Sequence, residues 1–184
     1  MVEPLQIPAR RLVFDALAAG PPTGELMLLL HGFPQTSACW TPLLETLAAA
    51  GYRAVAPDQR GYAPKARPTT VRAYRMPELV TDVLAPADRL GAGTFHLVGH
   101  DWGGVVAWRL AGQQPDRLAI LTAISTPHPR AFARALVAGT QGLRSAYIPL
   151  FRLPRLPELL LGGHPVQPAG PSGERADTVC LGLG

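Results

Sequence analysis

The residues best placed to do chemistry lie in one short run, Gly99-His100-Asp101-Trp102-Gly103. An apolar stretch ends just before this run and an apolar helical pattern begins just after it, which predicts a strand, a tight turn and a helix. The two glycines, two residues before and two after the aspartate, let such a turn pack closely against neighbouring backbone. We therefore predict that Asp101 lies at the tip of a strained turn and acts as a nucleophile.

A carboxylate nucleophile restricts the class of substrate. Attack by Asp101 on an electrophilic carbon gives a covalent ester and splits one difficult displacement into two easier steps. The substrate must then carry a leaving group on an sp³ carbon. The alternative is that Asp101 only forms the turn, since aspartate is common in glycine-rich turns. The run by itself leaves both interpretations open.

A second run, His31-Gly32-Phe33-Pro34, follows a wholly apolar stretch and favours the chemical interpretation. Enzymes that use a turn of this type stabilise the developing oxyanion with two backbone N–H groups. One donor comes from the loop after the earlier strand and the other from the residue after the nucleophile. We predict Phe33 and Trp102 as these donors, with His31 packed beneath the loop and Pro34 fixing its turn.

The elements that must position these residues alternate along the chain. Continuous apolar runs are typical of strands that are buried on both faces of a parallel sheet. The pattern predicts strands at 26–30, 52–56, 94–98 and 118–124, and helices at 42–50, 77–90 and 103–113. We expect Gly51 to close the first helix and Pro86 to bend or break the second. The alternation indicates an α/β fold with a mostly parallel sheet.

Composition excludes several classes of function. The 184 residues carry a net charge of +4 from sixteen arginines and one lysine without any block of like charge, so no nucleic-acid partner is expected. Cys39 and Cys180 lie far apart without a metal-ligand pattern, and no glycine pattern of a dinucleotide or phosphate loop is present. We therefore predict no metal and no cofactor. Because no leader and no apolar run of about 20 residues occurs, we also predict no membrane partner and a cytoplasmic location.

Four motifs occur in order: HGFPQTS (31–37), PDQRGY (57–62), GHDWGG (99–104) and STPHP (125–129). Together they resemble the epoxide-hydrolase branch of the α/β-hydrolases, and the resemblance covers roughly residues 8–161. It implies that Asp101 attacks an epoxide carbon of a small-molecule substrate. It also implies that water, activated by a histidine and an acidic residue, hydrolyses the resulting alkyl-enzyme ester.

The resemblance also implies a donor to the epoxide oxygen. In that family a cap tyrosine has this role within a Tyr-x-x-x-Phe-x-x-Pro pattern, which Tyr147, Phe151 and Pro154 reproduce. Tyr147 is therefore the candidate donor, although a packing role stays open. Phe33 stands where haloalkane dehalogenases usually have an asparagine, so an epoxide is favoured over a halide. A dehalogenase or another hydrolase of this fold is the alternative.

The resemblance divides the chain into three segments. Residues 1–138 correspond to the N-terminal part of the hydrolase core and 139–161 to the start of a helical cap. From the glycines and prolines of residues 162–184 we predict a disordered or frameshift-like tail, and we expect the C-terminal strands of the fold to be missing.

The missing segments affect the second chemical step. In this fold the acid and the histidine base come after the nucleophile, and neither His128 nor His164 is expected to be the base. The chain should then alkylate Asp101 and stall. The alternative of a different class is a non-catalytic, truncated or decayed fragment that self-associates through uncovered apolar surface.

Overall fold

The computed structural model of the protein describes residues 1–138. The predicted cap segment at 139–161, which includes Tyr147, and the tail at 162–184 lie outside the described residues. The chain divides into two compact units, Met1–Pro127 and His128–Gly184. Within the second unit the structure describes one helix, α4 (Pro129–Ala138).

The first unit is built on a sheet with three helices. The strands are β1 (Glu3–Ala9), β2 (Leu12–Ala19), β3 (Leu26–Leu30), β4 (Arg53–Pro57), β5 (Phe95–His100) and β6 (Leu118–Ile124), and the helices are α1 (Thr41–Ala49), α2 (Met76–Arg89) and α3 (Trp102–Gln113). The strand order is β1-β2-β4-β3-β5-β6. β4, β3, β5 and β6 run parallel to one another, which confirms the predicted mostly parallel α/β sheet.

Both faces of the central strands are covered, as their continuous apolar sequences predict. In β3, Leu28 packs in one buried cluster with Val83 of α2 and Leu110 of α3. The next residue, Leu29, packs in the opposite cluster with Leu44 of α1. Successive side chains of a strand point to opposite faces, so the helices lie on both sides of the sheet. The carboxyl ends of β3, β4 and β5 are thereby held in fixed register.

The antiparallel pair of β1 and β2 was not predicted. Pro4 and Pro8 lie within β1, and proline within a sequence argues against a central strand. β1 is the outer strand of the sheet, a place where proline is tolerated. Arg10 and Arg11 connect the pair with φ values of 51° and 67°, a conformation usually signalled by glycine or asparagine.

Pro86 does not break α2, so that part of the prediction was wrong: the helix continues to Arg89. A proline in a helix removes the hydrogen bond from its own missing N–H to the residue four positions earlier, here Asp82. The last turn still closes, because the backbone N–H of Leu90 donates to the carbonyl oxygen of Pro86 at 2.9 Å. Gly51 has a φ of 90° after α1, as predicted for the glycine that ends this helix.

Two features of residues 1–138 bear on membrane and metal binding. No helix within residues 1–138 has the length and apolar character needed to cross a membrane. In the same part of the chain, no group of three or more histidine, cysteine, aspartate or glutamate side chains could hold a metal ion.

Candidate active site

Three loops meet where parallel strands of the sheet end. β3 and β5 are neighbours in the sheet, and Leu30 lies opposite Gly99. β4 lies on the other side of β3. The loops that follow these strands begin at His31, Asp58 and Asp101, and the fourth motif begins directly after β6, which is parallel to β5. All four motifs therefore begin at one edge of the sheet. This is the edge at which open α/β sheets bind ligands.

Asp101 occupies a strained turn between β5 and α3. Its φ of 50° and ψ of −116° lie in a region that costs a residue with a side chain about 1–3 kcal/mol. Its backbone is held from both sides: its N–H donates to the carbonyl oxygen of Ile124 at 3.2 Å. Its carbonyl oxygen accepts from the N–H of Val105 at 3.1 Å and from the hydroxyl of Thr126 at 2.9 Å.

The glycines around the turn have little space for a side chain. A Cβ atom on Gly103 would lie 2.3 Å from the carbonyl oxygen of Leu30, and one on Gly99 would lie 2.6 Å from the carbonyl oxygen of Gly103. A Cβ atom on Gly32 would lie 2.6 Å from the Cβ of Asp101. The three glycines therefore allow the strand, the helix and the loop after β3 to approach the aspartate.

The first predicted backbone donor contacts the aspartate itself. The N–H of Phe33 donates to Oδ1 of Asp101 at 3.1 Å. Trp102 is the first residue of α3, so its N–H has no hydrogen-bond partner within the helix, and it stays a predicted donor. Phe33 and Trp102 are 54% and 53% exposed. Two large apolar residues therefore lie at the surface, one in the loop that contacts the carboxylate and one next to Asp101 in sequence.

His31 is fully buried beneath the loop and touches Tyr62 edge to face, with ring centroids 4.5 Å apart. Its Nδ1 lies 3.0 Å from the carbonyl oxygen of Gly32, and its Nε2 accepts from the N–H of Gln59 at 3.0 Å. These contacts require a neutral ring with its proton on Nδ1. Burial lowers the pKa of His31, although the bond to Gly32 and the charge of Asp58 oppose the shift.

The lowered pKa of His31 makes stability depend on pH. The unfolded state binds the proton more readily, so stability is complete above the usual histidine pKa of about 6.5 and falls as the pH drops below it. We expect urea unfolding at about pH 5.5 to give a lower stability than at about pH 7.5. His31→Gln should flatten this dependence, whereas His128→Gln, at an exposed position, should keep it. An equal slope in both variants would contradict the assignment.

Sequence reasoning named four motifs but missed the roles of residues inside two of them. Asp58 and Gln59 contact the loop after β3: Oδ1 of Asp58 accepts from the N–H of Ser37 at 2.7 Å. Burial raises the pKa of Tyr62, and the negative charge of Asp101 raises it further. Thr126 holds the turn from the loop after β6. Their position directly after predicted strands was the available signal, since ligand sites form there.

The remaining predicted residues are placed as follows. Pro34 follows Phe33 through a cis peptide bond, and His100 is the partly buried last residue of β5. His128 belongs to the second unit, where its Nδ1 accepts from the N–H of Arg130 at 3.2 Å. Tyr147 and His164 lie outside the described residues.

The sequence matches known proteins along most of its length. The pattern of the α/β hydrolase fold family matches residues 25–159. The AB hydrolase superfamily protein YfhM of Bacillus subtilis is 41% identical over 151 residues, which are 82% of this chain and 53% of that protein. Epoxide hydrolase A of Mycobacterium tuberculosis is 37% identical over 172 residues, 87% of this chain and 52% of that protein. The chain thus spans about half the length of these relatives.

Solved structures of epoxide hydrolases also match this chain over about half of their own length. The epoxide hydrolase VrEH1 from Vigna radiata aligns with a TM-score of 0.73 and 32% sequence identity, over 88% of this chain and 53% of that one. Epoxide Hydrolase A from Mycobacterium thermoresistibile aligns with a TM-score of 0.66 and 32% identity, over 74% of this chain and 45% of that one.

Proposed function

Because the chain belongs to the α/β-hydrolase fold family and is similar to its epoxide hydrolases, we propose that Asp101 attacks an epoxide carbon. A carboxylate oxygen bonds to that carbon, the carbon–oxygen bond of the ring breaks, and the freed oxygen takes up a proton. The product is an alkyl-enzyme ester on Asp101. The observation that carries this proposal is the carboxylate at a strained turn with Oδ1 bound by the N–H of Phe33.

The position of the Phe33 amide suits both chemical steps. With Oδ1 bound, Oδ2 is the oxygen that attacks, and Oδ1 becomes the carbonyl oxygen of the ester. When water adds to the ester carbon, negative charge develops on Oδ1, which this N–H already contacts. Loss of one such donor costs about 10²–10³ in rate in other enzymes. We assign Phe33 and Trp102 to this oxyanion hole, and Asp101 to the nucleophile elbow.

The ring oxygen needs a proton donor as its bond to carbon breaks. A phenol with a pKa near 10 can hydrogen-bond the oxygen and give up its proton as alkoxide charge develops. Tyr147 is proposed for this role on the pattern that it forms with Phe151 and Pro154.

Several predictions about the whole protein remain proposals. We retain a small epoxide as substrate, a cytoplasmic location, the absence of a nucleic-acid partner, and the division into a core at 1–138, a cap segment at 139–161 and a tail at 162–184. Self-association also stays a prediction. The exposed side chains of Ile120 and Ile124 on β6 support it, because exposed apolar patches often mark contact surfaces.

The proposal is tested by trapping the ester. After incubation with styrene oxide, the intact protein should gain the mass of one epoxide, and peptide mass mapping should locate it on Asp101. Asp101→Asn should gain no mass, because a neutral amide is a poor nucleophile. The matched control Asp116→Asn makes the same change at an exposed aspartate and should be labelled like the unmodified protein.

Two further readouts separate the alternatives. Labelling by a bromoalkane with release of bromide, but not by the epoxide, would favour a dehalogenase. An ester that persists would show that the second step is slow, whereas repeated diol release would contradict the expectation that the reaction stalls at the ester. A protein that gains no mass from styrene oxide, or that gains it equally in Asp101→Asn, would overturn the proposed function.

A further inference from the structure

The loop that carries the Phe33 amide is tied down at both of its ends. It runs from His31, directly after β3, to Ser37, where a short helical turn begins. The first end contacts Gln59 and the second contacts Asp58, and these two consecutive residues directly follow β4. We call these two residues the brace.

Gln59 holds the first end of the loop through its backbone and its side chain. Its N–H donates to Nε2 of His31 at 3.0 Å. Its side-chain amide also donates to the carbonyl oxygen of His31. His31 is fully buried and lies two residues before Phe33, so these bonds fix the direction in which the chain leaves β3.

Asp58 holds the second end, and the sheet holds Asp58. Its Oδ1 accepts from the N–H of Ser37 at 2.7 Å. Its own N–H donates to the carbonyl oxygen of Asp15 in β2 at 2.8 Å. The brace is therefore anchored in a neighbouring strand. A bond from a backbone N–H to a carboxylate is of the stronger, charge-assisted kind.

We propose that Asp58 and Gln59 are positioning residues that keep the Phe33 N–H on Oδ1 of Asp101. This inference rests on the proposed function, because it matters for chemistry only if Asp101 is the nucleophile. Neither brace residue needs to touch the substrate. Their effect follows from the sensitivity of rates to small errors in the placement of catalytic groups.

Each end of the loop has a variant that removes one of these contacts. Gln59→Glu replaces the side-chain donor with an acceptor that faces the carbonyl oxygen of His31, and it leaves the backbone bond in place. Asp58→Ala removes the acceptor for Ser37, whereas Asp58→Asn keeps an oxygen there and should restore the contact. Gln113→Glu makes the same chemical change at an exposed position on α3 and serves as the control.

Two measurements on the full chain test the proposal. Hydrogen exchange of the Phe33 amide, followed by NMR, reports the loop directly, and the rate of ester formation with styrene oxide reports the chemistry. We expect Gln59→Glu and Asp58→Ala to speed exchange and slow ester formation by about two- to ten-fold, the effect of one hydrogen bond. Asp58→Asn and Gln113→Glu should resemble the unmodified protein. The buried Leu28 amide should not change, because a general loss of stability would speed its exchange as well.

The outcomes separate this proposal from the proposed function. Unchanged exchange at Phe33 in both variants overturns the brace, and so does faster exchange without slower ester formation. If the unmodified protein forms no ester while the variants still speed exchange at Phe33, the brace stands as a property of the loop and the proposed function fails. Equal acceleration at Phe33 and Leu28 overturns the brace, since it reports only a less stable protein.

Discussion

Gly103→Ala is expected to lower the free energy of unfolding by about 3 kcal/mol or more, at the upper end of the cost of overpacking. The added Cβ would lie 2.3 Å from the carbonyl oxygen of Leu30 and 2.6 Å from its carbonyl carbon. These are backbone atoms of β3, which is paired on both sides in the sheet, so they cannot move aside as a flexible side chain could. The strain falls between the end of β3 and the start of α3, where Phe33 and Asp101 meet.

Gly112→Ala, in the same helix, provides the matched control. A Cβ atom there meets nothing within 4 Å, and alanine is favoured over glycine in a helix by up to about 1 kcal/mol. The two substitutions are chemically identical and should have opposite signs. Urea unfolding followed by circular dichroism measures both. Similar stability for Gly103→Ala and the unmodified protein would show that β3 and α3 do not approach as closely as described.

The sequence predicted the position of strands that are buried on both faces. β3 was predicted with both of its bounds correct, and α3 began one residue earlier than expected and ended as expected. Strands with helices on both sides need apolar residues at every position, and this requirement is visible in a single sequence. The position of Asp101 could be predicted for a related reason, because close backbone approach leaves a requirement for glycine at Gly99 and Gly103.

The parts that were missed depend on contacts between distant residues. The antiparallel pair at the N-terminus has prolines in β1 and arginines in its turn, so local preference argues against the structure formed. The contacts of the brace join positions 28 and 21 residues apart. Neither segment has a sequence pattern that predicts these hydrogen bonds, because they form only when β4 lies beside β3. Tertiary packing therefore decided these features, and propensity did not.

A second large effect is expected at a buried ion pair beside the site. Nε and Nη2 of Arg60 donate to the two carboxylate oxygens of Asp82 at 2.5 and 2.6 Å. The side chains are only 7% and 8% exposed, and Nη1 of Arg60 donates to the carbonyl oxygen of Ala73 at 3.1 Å. Burial raises the pKa of Asp82, while the hydrogen bond and charge of Arg60 oppose this shift. The pair joins α2 to the loop that contains the brace.

Arg60→Met should therefore cost about 3–5 kcal/mol, because it leaves the buried carboxylate of Asp82 without its main partner. Adding Asp82→Leu should recover most of this loss, since an apolar pair of similar volume avoids the cost of burying charge. At the more exposed pair of Arg117 and Asp88, Asp88→Asn should cost less than about 1 kcal/mol. Urea unfolding of the four proteins measures these differences. A double variant no more stable than Arg60→Met would contradict the explanation.

The pH dependence of Arg60→Met distinguishes an uncompensated charge from a simple loss of packing. Without Arg60, burial and the charge of Glu78 outweigh the opposing charge of Arg10, whose Nη1 lies 3.8 Å from Oδ1 of Asp82. The folded pKa of Asp82 therefore lies above its unfolded value, and the folded state prefers the protonated acid. Stability linked to this group is then complete below the unfolded pKa and is lost as the pH rises through the folded one. The deficit of Arg60→Met relative to the unmodified protein should therefore shrink as the pH falls. A deficit that stays constant with pH would mean that packing of the arginine side chain, and not its charge, stabilises this part of the sheet edge.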